Sequence, residues 1–209
     1  MFITLEGGEG SGKSTIALEL EKYFEDKGYD VILTREPGGT KLANDIRELI
    51  MDNDLDAYEE MLLFNVARVN HLKNVIMPAL KDNKVVICDR FIDSSRVYQG
   101  ILGDLPYDEY RKIEELNDIV KYSENMIDLT LLFDIDPKVG LDRIHSNNRE
   151  TNRFDDKDLD YHYAVRAAYL QLKKGQDLDR MKIIDASFDP ETVLKQCIHE
   201  IELLNENEK

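Results

Sequence analysis

The chain has 209 residues, 42% of them hydrophobic and 33% charged, with 27 Lys and Arg against 43 Asp and Glu, a formal net charge of −16. That length fits one domain with a sizeable core, spanning 1–209, and the composition excludes a disordered chain. The charge disfavours generic binding to nucleic acid or to an anionic membrane surface, so any phosphate-bearing ligand needs a local cluster of cations.

Short apolar or β-branched runs at 2–5, 31–34, 85–88, 129–135 and 181–184 alternate with helical periodicity at 13–27, 41–51, 58–80, 108–121, 137–146, 159–175 and 190–204. This alternation is the signature of parallel βαβ units. The first strand is followed at once by glycines, with no charged segment and apolar stretch of a secretory signal, and no apolar run reaches the ~18–20 residues that cross a bilayer. The expectation is a cytoplasmic protein with no membrane partner, and Cys88 and Cys197, which show no metal-ligand spacing, fit a reducing compartment.

Gly7-Gly8-Glu9-Gly10-Ser11-Gly12-Lys13-Ser14 fits the phosphate-loop pattern G-x-x-x-x-G-K-[ST] between a predicted strand and a predicted helix. The glycines let successive N–H groups turn inward around phosphate oxygens, and the helix start adds its positive dipole end. Lys13 is expected to reach the β- and γ-phosphates and the Ser14 hydroxyl to ligate Mg²⁺. The ATP cradle is therefore Gly7, Gly8, Glu9, Gly10, Ser11, Gly12, Lys13, Ser14 and Thr15. A negative charge at Glu9 is out of place if the loop only cradles phosphate.

Gly28 and Gly175 stand where C-terminal helix caps belong, and Pro137 and Pro190 where first helical turns belong, each after an Asp that serves as N-cap. The segment 58–80 carries more apolar surface than one core-facing stripe needs, which predicts burial on several sides, a second subunit included. Within it Phe64 and Arg68 share a face and can close on one flat ligand. The strand at 85–88 ends in Asp89 and Arg90, whose side chains point opposite ways, one suited to Mg²⁺ and the other to phosphate. The polar segment 145–160, with Arg149 and Arg153, predicts a mobile surface loop.

Residues 2–15, Arg35-Glu36-Pro37-Gly38-Gly39-Thr40, Asp89-Arg90-Phe91-Ile92-Asp93-Ser94-Ser95 and Val97-Tyr98-Gln99-Gly100 together resemble the thymidylate (dTMP) kinase family in content, order and spacing. The resemblance runs over nearly the whole chain. It implies the P-loop nucleoside monophosphate kinase fold, an α/β architecture in which a five-stranded parallel sheet is flanked by helices, with a mobile lid at about 145–160. The implied reaction is ATP plus dTMP giving ADP plus dTDP, in dTTP synthesis, with Mg²⁺ at Ser14 and Asp89. The implied catalytic residues are Lys13, Asp89, Arg149 and Arg153. Gly10 stands where one branch of the family carries a catalytic arginine, which assigns the missing cation to the lid arginines of the bacterial-type branch.

For the acceptor, the resemblance implies that Glu9 reaches the deoxyribose 3′-hydroxyl, that Arg47 and Arg90 clamp the α-phosphate, and that Phe64 stacks on thymine. It implies that Arg68 bonds a base carbonyl, that Gln99 reads the N3–H edge, that Tyr98 crowds a 2′-hydroxyl, and that Ser95 lines the same site. A homodimer through helix 58–80 is expected. Arg96 and Val97, the segment Ile101-Leu102-Gly103-Asp104 and the pair Ile127-Asp128 depart from the family pattern around the base rather than at the phosphates. Two alternatives stand beside this reading: a kinase for another acceptor such as dUMP, and a nucleotide-binding switch without kinase activity. The chain has no N-K-x-D segment of the kind by which GTP switches read guanine.

Overall fold

The computed structural model describes residues 1–103, 105, 125–146, 153–175 and 179–207. The predicted helix at 108–121, Asp104 and Arg149 lie outside the described residues. Five strands, β1 (Phe2–Gly7), β2 (Val31–Arg35), β3 (Val85–Asp89), β4 (Leu129–Asp134) and β5 (Met181–Asp185), form one parallel sheet in the order β2-β3-β1-β4-β5. All five agree with the apolar runs of the sequence, and β1, β3 and β4 are buried along nearly their whole length, as strands covered on both faces are.

Strand alternation divides the core. Ile3 and Leu5 of β1, Val85 and Ile87 of β3, and Leu131 and Phe133 of β4 face α1 (Lys13–Asp26) and α8 (Pro190–Asn207), where Ile16, Leu20, Phe24, Val193 and Ile201 cover them. On the opposite face Phe2, Val86 and Cys88 pack on Leu72, Ile76, Ala79, Phe91 and Ile92. Beside them Leu132 and Met181 meet Val165, Ala168 and Tyr169 of α7 (Leu159–Gly175). On this second face β1 carries Thr4 and Glu6. Thr4 pairs with the Thr130 hydroxyl at 2.7 Å, and Glu6 turns toward the loop after β3.

The helix starts follow local chemistry. Thr40 caps α2 (Lys41–Asp52) by accepting from the Ala43 N–H, and Asp56 and Glu59 form a reciprocal capping box at α3 (Ala57–His71). Pro137 and Pro190 open α6 (Pro137–Ser146) and α8, with Asp136 and Asp189 accepting from Lys138 and Thr192 N–H as expected. Gly28 follows α1 at φ +85°. The Glu36–Pro37 bond is cis.

The single long apolar helix expected at 58–80 is not what forms. α3 ends at His71, a π-helical turn occupies Leu72–Ile76, and α4 (Met77–Lys81) follows. Pro78 has no N–H to give the Asn74 carbonyl, and its ring crowds that carbonyl, so the helix widens there. Nor is the segment buried all round: Met61, Ala67, Leu72, Ile76 and Ala79 are buried, while Tyr58, Leu62 and Val66 form an exposed i, i+4 stripe. After β3 comes a short helix not foreseen in the sequence, α5 (Ile92–Ser95), continued by a π-helical turn at Arg96–Ile101. No helix among the described residues is long and apolar enough to cross a membrane.

Candidate active site

The chain leaves β1 toward β2 on one side of the sheet and leaves β3 toward β4 on the other, so a crevice opens at the carboxyl ends of β1 and β3. A cavity of about 790 Å³ occupies it. Among the described residues its walls carry six cations, Lys13, Arg35, Arg47, Arg68, Arg90 and Arg143, and four carboxylates, Glu9, Glu36, Asp89 and Asp189. The local sign is thus positive in a chain of net charge −16, as a polyanionic ligand requires.

The phosphate loop lies between β1 and α1. Gly10 adopts φ +68°, and a Cβ there would stand 2.0 Å from the Gly140 carbonyl oxygen of α6. No side chain fits, which is the physical reason that an arginine cannot occupy this position here. The Lys13 ammonium sits within the loop, donating to the carbonyls of Gly7 at 3.0 Å and Gly8 at 2.8 Å and to the Ser11 hydroxyl at 3.1 Å. Burial, then the Arg90 charge, lowers its pKa to about 8. Glu9, Gly10, Ser11, Gly12, Ser14 and Thr15 line the cavity, whereas Gly7 and Gly8 lie behind it.

Ser14 and Asp89 come together across 75 residues of sequence, the hydroxyl donating to Asp89 Oδ2 at 2.7 Å. Asp89 Oδ1 is buried and has no hydrogen-bond partner among the described residues. Two hard oxygen donors at the mouth of a phosphate loop, one of them an orphaned carboxylate oxygen, fit Mg²⁺, which takes few protein ligands and fills its octahedron with phosphate and water.

Arg90 adopts φ +69°, unusual for a residue with a side chain, which turns its guanidinium back over the loop. It donates to Glu9 Oε1 at 2.6 Å, to Ser94 Oγ at 3.2 Å and to the Tyr169 hydroxyl at 3.3 Å, and it lies over the Tyr98 ring at 5.3 Å. Burial opposes its charge, yet Glu9 first, then Tyr98, Tyr169 and Asp89, holds its pKa well above the ordinary guanidinium range. Arg47 lies nearby without a hydrogen bond to any described residue, its pKa lowered by burial and by Arg35 and Arg90. Such crowding of like charges disposes the pair to take up an anion.

Glu6, fully buried on β1, holds this turn in place. It accepts from Phe91 N–H at 2.8 Å, Ser94 N–H at 3.2 Å, Ser94 Oγ at 2.6 Å and the Tyr169 hydroxyl at 2.9 Å. Burial, then the charge of Asp93, pushes its pKa from 4.5 up to about 7, against the hydrogen bonds that pull it down. A raised carboxyl binds its proton more tightly in the folded chain, so its contribution to stability is complete below about 4.5 and is lost as pH rises through about 7. Glu6→Gln is expected to lack that decline, so the thermal midpoint of the wild type relative to the variant falls from about pH 5 to about pH 8. A difference that stays level across this range means that Glu6 does not titrate there.

At the other end of the cavity Arg68, 1% exposed, is fixed by Glu36 Oε2 at 2.7 Å, Ser95 Oγ at 2.9 Å and the Phe91 carbonyl at 3.3 Å. Its Nη1 is buried with no partner among the described residues. Glu36 is held in turn by His71 Nδ1 at 3.1 Å, and His71 Nε2 meets the Thr34 hydroxyl at 2.8 Å. Phe64 packs on Ala43, Ile46 and Ile50 of α2 and also lines the cavity, so it serves both core and site. Ser95, Tyr98 and Gln99 complete this end, and the Tyr98 hydroxyl reaches Glu9 at 3.4 Å.

All the expected acceptor residues thus face one cavity with the phosphate loop. Arg153 does not line it: its guanidinium pairs with Glu60 and donates to the Asn53 carbonyl at 3.2 Å. Glu6, Tyr169, Glu36 and His71 went unassigned in the sequence. A carboxylate inside an apolar strand at Glu6, and a histidine one turn beyond Arg68, were the available signals. The cavity also extends past the phosphate loop to Arg143, Ala186, Ser187 and Phe188, where Arg143 donates to the Ala186 carbonyl at 2.9 Å.

Comparison with known proteins agrees with this geometry. The family model described as thymidylate kinase matches residues 5–197. A thymidylate kinase of Geobacillus sp. (strain WCH70) is 42% identical over 201 residues, 94% of this chain and 93% of that protein. One from Clostridium novyi (strain NT) is 45% identical over 199 residues, 93% of this chain and 95% of that protein. The crystal structure of thymidylate kinase from Ehrlichia chaffeensis aligns with a TM-score of 0.75 at 32% identity, covering 96% of this chain and 98% of that one. Similarity of this extent, over nearly the whole chain, means that the chain belongs to the thymidylate kinase family.

Proposed function

We propose that the chain, as a single kinase domain, transfers the γ-phosphoryl group of ATP to dTMP, giving ADP and dTDP. The observation that carries this reading is the continuity of one cavity from Lys13 and Ser14 to Phe64, Arg68 and Gln99. Donor and acceptor then lie end to end, as in-line transfer requires. The ATP phosphates lie on residues 9–15, with the donor base toward Arg143 and Phe188. The acceptor phosphate lies between Arg47 and Arg90, the deoxyribose against Glu9 and Tyr98, and the base on Phe64 beside Arg68, Ser95 and Gln99.

In transfer the protein contributes position and charge rather than covalent chemistry. Lys13 neutralises the charge that builds on the moving group, and Asp89 with Ser14 holds Mg²⁺. When bound, that ion would supply positive charge against the donor phosphates. With Gly10 unable to carry a side chain, the remaining cations are assigned to Arg149 and Arg153 of the lid, the second of which has to leave Glu60 to reach the phosphates. The exposed stripe of Leu62 and Val66, together with Leu42 and Leu49 of α2, supports a homodimer, to be checked by sedimentation mass, and the expected location is the cytoplasm. Coupled ADP release across a panel of monophosphates tests the function: dTMP is expected to give the highest kcat/KM, dUMP less and purine monophosphates little. Equal stimulation by all of them, or by none, refutes the reading.

A further inference from the structure

Glu60, on the first turn of α3, touches both Gln99 at the base end of the cavity and Arg153 of the lid segment. Its Oε2 accepts from Gln99 Nε2 at 2.7 Å, and its Oε1 pairs with the Arg153 guanidinium. The arginine is itself anchored by the Asn53 carbonyl and lies over the Phe154 ring at 4.8 Å.

A primary amide has two nearly isosteric orientations, and neighbouring groups decide between them. A carboxylate only accepts, with or without the guanidinium beside it. Glu60 therefore turns the Nε2 end of Gln99, which is 2% exposed, toward itself and leaves the Oε1 end for a ligand. Arg68, whose Nη1 is a donor without a partner among the described residues, lines the same cavity as Gln99. This end of the cavity thus carries both an acceptor and a donor. Thymine and uracil match that pair with N3–H beside O4, whereas cytosine offers an acceptor at N3 beside a donating amino group and is mismatched at both positions.

We propose that Glu60 is a positioning residue which sets the orientation of the Gln99 amide and thereby selects thymine or uracil over cytosine. The inference rests on dTMP as acceptor and adds the residue that determines base choice. A polar site rejects a ligand of the wrong donor pattern because its own groups are left unpaired, so losing the fixed orientation loses selectivity rather than chemistry.

The test is Glu60→Gln, nearly the same shape but able to present either a donor or an acceptor to Gln99. KM for dTMP is expected to rise about tenfold, and the ratio of the dCMP inhibition constant to that KM to fall about tenfold or more, with KM for ATP unchanged. The exchange variant Glu60→Gln/Gln99→Glu puts an obligate acceptor at position 99 and is expected to restore the ratio. An unchanged ratio in Glu60→Gln overturns the inference. So does a lost ratio that the exchange variant leaves lost, since that marks general loosening of the pocket. Absence of dTMP turnover in the unaltered protein overturns the proposed function instead.

Discussion

Lys13→Ala and Asp89→Ala are each expected to lower kcat by at least ~100-fold with little change in the thermal midpoint. Each removes charge that matters most while the phosphoryl group moves, and neither belongs to the apolar clusters of the core. For Lys13 the stability argument can be signed. Its pKa is lowered to about 8 from 10.5, so the unfolded chain binds the extra proton between those values, and stability from this group rises with pH across that window. Lys13→Ala lacks that rise, so the thermal midpoint of the wild type relative to the variant climbs from about pH 8 to about pH 10.5. For Asp89 the orphaned Oδ1 predicts loss of metal dependence, so extra Mg²⁺ does not rescue the variant. Steady-state kinetics with a thermal melt check both, and near-normal turnover in a folded variant removes its assigned role.

Arg68→Ala is expected to combine two large effects. The guanidinium is paired with Glu36 at 2.7 Å where both side chains are almost fully buried, so its removal strands a carboxylate and costs about 3–5 kcal/mol of stability. The base end loses its donor as well, and an unpaired carbonyl in a closed pocket costs about 1–3 kcal/mol, roughly ten- to hundredfold in dTMP affinity. ATP affinity is expected to stay within about twofold, because the phosphate loop does not touch Arg68. Arg68→Lys keeps the charge next to Glu36 but not the planar fork, so it recovers stability more than dTMP affinity. Titration calorimetry with each nucleotide and a melt of each variant separate the two effects. Equal losses for ATP and dTMP place Arg68 outside the base pocket.

Much of this protein is determined locally, and local determinants are legible in a sequence. The five strands, the phosphate loop and the Asp caps before Pro137 and Pro190 depend on residues within a few positions of one another, through alternation, glycine conformations and side-chain hydrogen bonds to nearby N–H groups. The meeting of Ser14 with Asp89 was also foreseeable, because a parallel sheet aligns the carboxyl ends of its strands. Tertiary structure alone decided what supports those groups. Glu6 reaches Phe91 across 85 residues, Glu36 reaches Arg68 across 32, and Glu60 reaches Gln99 across 39 and Arg153 across 93. Each is a carboxylate whose residue type says only that it accepts hydrogen bonds. Which donors it meets is settled by the packing of α3, α5 and the sheet, because burying a charge is tolerable only where that packing delivers a partner.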